Sequence, residues 1–255
     1  MIKVVICGAF GRMGTTIAGM VDASPDLELV GGVDIRSGTL FGANVVEAAR
    51  IDELLAQTRP DVLVDFTIAA AAVENIKAAA RHGVALVVGT TGFSERQREE
   101  IAAAVTGTVP AVISSNFSVG VNIFWRLVRE AARLLGDYDI EVTEAHHRYK
   151  KDAPSGTAKT ILQILEDEVG PRAKAYGREG MAERANEIGV HVIRGGDIVG
   201  DHSVLFAANH EVIELSHRAY DRAVFAHGVL RAIRWVDGKE PGIHTMDEVL
   251  GLSRA

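Results

Sequence analysis

Residues 3–14 read Lys3-Val4-Val5-Ile6-Cys7-Gly8-Ala9-Phe10-Gly11-Arg12-Met13-Gly14, an apolar run that ends in three glycines, each three positions from the next. The β-branched run predicts a strand, and a helix is expected to follow the glycines. G-x-x-G-x-x-G is a variant of the dinucleotide fingerprint. Its glycines permit a tight turn and close backbone approach to a pyrophosphate, which sits on free N–H groups at the helix start. Asp34 lies twenty residues beyond Gly14, at the end of a second expected strand. An acid at that place accepts hydrogen bonds from the adenosine ribose. A glycine turn without a ligand is the plain alternative; the strand before it, the helix after it and Asp34 favour the nucleotide.

Outward from this turn, short β-branched runs alternate with Ala-rich helical stretches, the pattern of parallel strands joined by crossover helices. Strands are expected at Lys3–Cys7, Leu27–Val33, Val62–Phe66, Ala85–Val88 and Ala111–Ser114, and helices near Thr15–Asp22, Val46–Gln57, Ala69–Arg81 and Ser94–Val105. Runs such as Val62-Leu63-Val64 are apolar on both sides of the pleat, as covered parallel strands should be. From about Phe117 the character changes. A long helical pattern, Val119–Leu135, leads to the strand-like Asp139–His147, and three later runs (Val190–Arg194, Ser203–Ala207, Glu211–Ser216) follow one another without helices between them. The fold class is therefore α/β, a Rossmann-type doubly wound parallel sheet followed by an α+β domain on a mixed or antiparallel sheet. A final helical stretch, Tyr220–Val236, and the Met246–Leu252 segment can return to the first domain. The expected division is 1–117 plus about 229–255 for the nucleotide-binding domain, and 118–228 for the α+β domain.

The chain has 255 residues, 47% of them hydrophobic, with one cysteine and a net charge of −7. That is enough to bury a large core without disulfides, and it excludes a disordered or disulfide-framed class. No apolar run of about 18 residues is present, so no transmembrane helix is expected. The start does not read as a signal peptide, and with Cys7 alone the expected setting is reducing and cytoplasmic. An acidic balance argues against nucleic acid as a partner, although bulk charge says nothing about one local site.

Such a local site is the stretch Glu144-Ala145-His146-His147-Arg148-Tyr149-Lys150-Lys151-Asp152-Ala153-Pro154-Ser155-Gly156-Thr157-Ala158, where five of the six residues from His146 to Lys151 are basic. It joins an expected strand to a helix that Ser155 can cap. Proton donors, fixed positive charge and helix-start N–H groups thus converge, which suits a small carboxylate substrate. A solvated basic surface is the alternative. A metal site is not expected, because the His pair lacks further ligands at suitable spacing. His202, His210 and His217 lie on the later strands and are read as mostly structural, at an edge or interface. Gly89-Thr90-Thr91-Gly92 and Ser114-Ser115-Asn116-Phe117 close sheet strands at their carboxyl ends, where open α/β folds bind ligands; ordinary turns are the alternative.

Taken together these segments resemble the 4-hydroxy-tetrahydrodipicolinate (dihydrodipicolinate) reductase family. The resemblance rests on Gly8–Gly14, Val88–Phe93, Ser115–Asn122, Glu144–Ala158, Tyr176–Gly180 and Arg194–His202, and spans nearly the whole chain. It implies a Rossmann domain completed by the C-terminal segment, a second domain whose mixed sheet builds a homotetramer, and an NAD(P)H-dependent enzyme of diaminopimelate and lysine biosynthesis. The implied reaction reduces a cyclic imine dicarboxylate, formed by loss of water from 4-hydroxy-tetrahydrodipicolinate, with NADH or NADPH. On matching positions, Gly8, Gly11, Arg12 and Met13 line the pyrophosphate, Asp34 meets the ribose, and Gly89, Thr90, Thr91, Ser114, Ser115, Asn116 and Phe117 flank the nicotinamide. His146 is implied as the proton donor or acceptor and Lys150 as the second proton donor, and His147, Lys150, Ser155, Gly156 and Thr157 as holders of the substrate carboxylates.

Some members of the family carry Glu-Arg where this chain has Asp34-Ile35, the Arg serving the 2′-phosphate of NADPH. A carboxylate at residue 34 favours NADH, while Arg36, two residues on, can pair with that phosphate, so both cofactors are expected. Two other classes compete. An amine or amino-acid dehydrogenase of the same architecture would keep the glycine turn without needing the His-His-x-x-Lys and Ser-Gly-Thr pairing. A non-catalytic NAD(H)-sensing protein would leave His146 and Lys150 without a role.

Overall fold

Alternation of β-branched runs with Ala-rich helices gives, in the computed structural model, the order β1 (Ile2–Cys7), α1 (Arg12–Asp22), β2 (Leu27–Asp34), β3 (Gly38–Leu40), β4 (Ala43–Glu47), α2 (Ile51–Thr58), β5 (Val62–Asp65), α3 (Ala69–Arg81), β6 (Ala85–Val88), α4 (Glu95–Val105) and β7 (Pro110–Ile113). There follow α5 (Val119–Leu134), β8 (Asp139–His146), α6 (Gly156–Val169), β9 (Ala173–Ala175), β10 (Glu187–Arg194), β11 (Gly200–Ala208) and β12 (Glu211–Ala219). The chain then adds α7 (Ala223–Val236), β13 (Gly242–His244) and α8 (Met246–Leu250). The structure describes residues 1–252, so the last three residues of the expected return segment lie outside the described residues. Two compact units emerge, Met1–Ser118 with the chain from Ala223 onward, and Val119–Arg222.

The first unit is built on an eight-stranded sheet in the order β13-β7-β6-β5-β1-β2-β4-β3. All its pairings are parallel except β3 with β4 at the edge. Helices cover both faces. One apolar cluster joins Val5, Leu63 and Leu86 to α2, α3 and α4; the other joins Val4, Ile6, Val64 and Val87 to α1, α7 and α8. Coverage on both faces is why Val62–Val64 and Ala85–Val88 carry apolar residues at consecutive positions. The order reverses between β1 and its neighbours β2 and β5, so the loops after β1, β2 and β5 share the ligand end of the sheet.

The expected helix over Val46–Gln57 is shorter and displaced. Val45 and Val46 pair with Gly32 and Val33 as a strand, a single 3₁₀ turn covers Ala48–Arg50, and the helix starts at Ile51. The β-branched pair finds an open sheet edge beside β2, and that tertiary partner outweighs the helical preference of Glu47-Ala48-Ala49.

The second unit holds a five-stranded mixed sheet in the order β12-β11-β8-β10-β9. On one face Ile140, Val142, Ile188, Val190, Val204 and Phe206 pack with Phe124 and Val128 of α5 and Ile161 and Leu165 of α6. Strand alternation sends Glu141, Thr143 and Ala145 to the other face. Ser155 caps α6, its Oγ accepting from the Ala158 N–H at 3.2 Å, which places the helix start beside the carboxyl end of β8.

Candidate active site

On the first unit the glycine turn is held by sterics. Gly8 has φ of +78°, and a Cβ there would fall 2.6 Å from the Phe66 carbonyl oxygen; a Cβ on Gly14 would fall 2.0 Å from the Gly8 carbonyl oxygen. Because both obstacles are backbone, neither can swing aside, and a side chain at either position would break the turn. The turn and the loops after β2 and β5 enclose a cavity of about 580 Å³ whose lining includes Gly8, Gly11, Asp34, Arg36, Thr67 and Ile68. Asp34 accepts from the Phe10 N–H at 2.8 Å and the Ile35 N–H at 2.7 Å, so one carboxylate ties the glycine turn to the end of β2. The Arg36 guanidinium lies 5.0 Å from the centre of the Phe10 ring, and both residues line the same cavity. Arg12 and Met13 open α1, which has no side-chain cap at Gly11, so its first N–H groups are left for an anion. These residues fit a dinucleotide: glycines where a Cβ would collide, helix-start donors, and a carboxylate at the end of β2 in the cavity lining.

The β5 and β6 loops converge on a residue that motif reading passes over. Asp65, fully buried, accepts through Oδ1 from the Thr67 N–H (3.1 Å), the Thr67 hydroxyl (2.8 Å) and the Thr90 hydroxyl (2.6 Å), and through Oδ2 from the Asn75 amide (2.8 Å). Thr90 in turn accepts from the Thr67 N–H at 2.8 Å. The Gly89–Thr91 segment is thereby pinned to the β5 loop. The only sequence signal was an acid ending an otherwise apolar strand. Ser114 and Asn116 form a compact turn, Ser114 Oγ donating to the Asn116 carbonyl at 2.8 Å, and Ser115 is exposed. The Phe117 side chain, by contrast, is buried in the core beside Phe66, and Gly228 lies so close that a Cβ there would meet the Phe117 carbonyl oxygen at 1.6 Å.

On the second unit, residues 146–157 form a loop and helix start at the carboxyl end of β8. The Gly195 N–H donates to the His146 carbonyl at 2.9 Å and the Arg148 N–H to the Gly196 carbonyl at 3.1 Å, so the β10–β11 turn braces this loop. His146 projects on the same face of β8 as Glu144 and Val142. Its Nδ1 lies 2.5 Å from Glu144 Oε2. Glu144 has no exposed surface and binds Arg194 through both oxygens, at 2.9 and 2.8 Å, and the Ser155 N–H at 2.9 Å. Burial pushes its carboxyl up, but the hydrogen bonds from His146, Arg194 and Ser155 more than offset this and hold it at about 2. Lys150, largely shielded, pairs with Asp152 at 2.8 Å. Gly156 is exposed at the first position of α6, next to the Ser155 cap and Thr157.

His202 is not at an edge. It is 5% exposed, its Nε2 lies 3.1 Å from Ser155 Oγ, and its ring stands edge-on to His146 with centres 5.1 Å apart. Burial, then the neighbouring His146, lowers its pKa to about 3, so it is a neutral ring at working pH. His210 is exposed in the β11–β12 turn, and His217 packs near Phe124. Glu144, His146 and His202 have the makings of a metal cluster, but Arg194 and the Ser155 N–H already occupy Glu144, which speaks against a cation there. Glu144, Arg194 and His202 are the site members that motif reading left without roles. Glu144 was detectable as an acid two positions before His146, on the same strand face; Arg194 reaches it only by tertiary pairing.

Two family models match the chain, "Dihydrodipicolinate reductase, N-terminus" over residues 2–117 and "Dihydrodipicolinate reductase, C-terminus" over residues 120–250. A relative from Methanoculleus marisnigri named 4-hydroxy-tetrahydrodipicolinate reductase is 75% identical over 252 residues, covering 99% of this chain and all of its own. Among solved structures, a dipicolinate-bound dihydrodipicolinate reductase from Paenisporosarcina sp. TG-14 superposes with a TM-score of 0.81 at 24% identity, over 97% of this chain and 98% of that one. An amine dehydrogenase from Mycobacterium smegmatis shares the fold with a TM-score of 0.60 at 17% identity, over 96% of this chain and 95% of its own.

Proposed function

The chain belongs to the dihydrodipicolinate reductase family, an NAD(P)H-dependent oxidoreductase family of diaminopimelate and lysine biosynthesis, and from that premise we propose how its residues divide the reaction. The first unit binds the dinucleotide, with Gly8, Gly11, Arg12 and Met13 at the pyrophosphate and Asp34 at the ribose. Gly89–Thr91 and Ser114–Phe117 border the nicotinamide; Phe117 takes part through its backbone, since its side chain is buried. The second unit binds the cyclic imine dicarboxylate. Ser155, Gly156 and Thr157 at the start of α6, with His147 and Lys150, hold its carboxylates, where helix-start donors and fixed cations favour negative charge.

A reduced nicotinamide supplies two electrons and one hydrogen to the substrate. The electron pair displaced through the conjugated imine must then be met by a proton, and a positioned acid typically contributes 10²–10⁴-fold. His146 and Lys150 deliver it. The observation that carries this reading is the Glu144–His146 pair at 2.5 Å, set beside the capped start of α6, because a solvated basic patch has no use for a buried carboxylate partner. For the cofactor, Asp34 supports NADH and Arg36 gives the 2′-phosphate of NADPH a partner, so both are used.

We also propose assembly as a homotetramer through the uncovered face of the mixed sheet, where Ile193 and Val212 are 49% and 57% exposed. A reducing, cytoplasmic setting fits the single, buried Cys7, and no helix among the described residues is long and apolar enough to cross a membrane. The test is a coupled assay in which the condensing synthase generates the substrate in place. Purified protein is expected to consume NADH and NADPH only when that substrate forms. Folded protein that leaves the nicotinamide absorbance unchanged would refute the reading.

A further inference from the structure

Glu144 is saturated. An ionised carboxylate offers about four lone-pair positions and no proton. Here four donors take them: Arg194 Nη1 at 2.9 Å and His146 Nδ1 at 2.5 Å on Oε2, and Arg194 Nη2 at 2.8 Å and the Ser155 N–H at 2.9 Å on Oε1. Guanidinium and backbone N–H groups can only donate, and a carboxylate only accepts. The one partner with a choice is the imidazole, and facing an acceptor it has to place its proton on Nδ1. The lone pair, or the second proton of the imidazolium, is then on Nε2.

The surroundings of Nε2 agree. Gly200 lies beside it, and a Cβ there would come within 3.2 Å of Nε2 and 3.5 Å of Cδ2, so the glycine keeps that ring edge free. The ring's charged hydrogen-bond partner is Glu144, itself paired with Arg194, and the neighbouring His202 is neutral. Arg194 pairs with both oxygens of Glu144 and balances its charge, so the ring meets a fixed acceptor whose burial is already compensated.

We infer that Glu144 is a positioning residue that fixes His146 as the Nδ1–H tautomer, so that Nε2 alone exchanges a proton with the substrate, and that ties the start of α6 to that ring through the Ser155 N–H. This rests on His146 as a proton donor and adds how the ring is prepared. Glu144 touches no substrate atom and acts only through His146 and Ser155.

The test reads the tautomer directly. The full chain, labelled with ¹⁵N-histidine, gives two-bond ¹H–¹⁵N correlations, with His146 assigned by their loss in His146→Gln. The neutral ring is expected to carry its proton on Nδ1; a proton on Nε2 overturns the proposal while leaving the coupled assay, and hence the family reaction, untouched. In Glu144→Gln the amide nitrogen should turn toward His146, the one partner able to accept, and move the ring proton to Nε2. Turnover is expected to fall about 10²-fold with the KM for NADH within twofold. A wild-type tautomer together with wild-type turnover overturns the proposal. Should that variant fail to fold, Gly200→Ala crowds Nε2 while leaving all four donors on Glu144. Turnover is then expected to fall at least tenfold, by about 1.4 kcal/mol or more, with the Nδ1–H tautomer retained; unchanged turnover overturns the proposal.

Discussion

Replacing Asp65 with Ala separates a cofactor-loop latch from an ordinary core residue. The carboxylate is fully buried and receives four hydrogen bonds, two from Thr67, one from Thr90 and one from Asn75. Thr67 is partly exposed and can find water. Thr90 and Asn75 are 5% and 4% exposed and cannot, and the Thr90 hydroxyl is held in place as acceptor for the Thr67 N–H. Two buried donors are therefore stranded, at about 1–3 kcal/mol each, for a loss of roughly 2–6 kcal/mol. For a chain of this size that is a fall in Tm of roughly 5–20 °C. Asp65→Asn should behave differently. Its oxygen can serve Thr67 and Thr90, and its nitrogen meets Asn75, whose amide can rotate to present oxygen. One rotation restores every bond, so the cost is expected below about 1.5 kcal/mol. Thermal and urea unfolding supply the stabilities, and quenching of intrinsic fluorescence supplies the NADH affinity, which should weaken in the Ala variant as the Gly89–Thr91 segment comes loose. An Ala variant that loses under about 1 kcal/mol, or an Asn variant as damaged as Ala, would refute the latch.

Lys150→Ala is expected to lower turnover by about 10²-fold or more in the coupled assay while NADH affinity stays within twofold, since Lys150 lies in the second unit and the glycine turn in the first; unchanged turnover removes it from the chemistry. Asp34→Asn keeps an acceptor for the Phe10 N–H but deletes the charge that opposes a 2′-phosphate. The NADPH-to-NADH ratio of kcat/KM should rise about tenfold, equivalent to about 1.4 kcal/mol, and an unaltered ratio would place the carboxylate away from the ribose.

Chemistry carried by consecutive residues was legible in the sequence. The strand, glycine turn and helix at Ile2–Asp22 follow from local sterics, because Gly8 requires positive φ and Gly14 has no room for a Cβ. The Ser155 cap and the basic loop before it were readable for the same reason: strand, loop and cap follow one another along the chain. Where a segment's partner lies elsewhere, the reading slipped. Ala43–Glu47 became a strand because β2 offered it an edge, and His202 became a neighbour of the His146 ring because β11 pairs beside β8.

What the sequence alone determined is the inventory and its local order: a doubly wound parallel sheet, a mixed sheet after it, and a histidine and a lysine ahead of a capped helix. What only the tertiary structure decided is how these groups are prepared. Asp65 collects donors from two loops, Thr67 and Thr90, that are 23 residues apart, and Arg194 crosses 50 residues of chain to meet Glu144. A buried charge is tolerated only where its hydrogen-bonding capacity is met. The residues that meet it are chosen by strand pairing, and strand pairing between distant segments leaves no periodicity in either one.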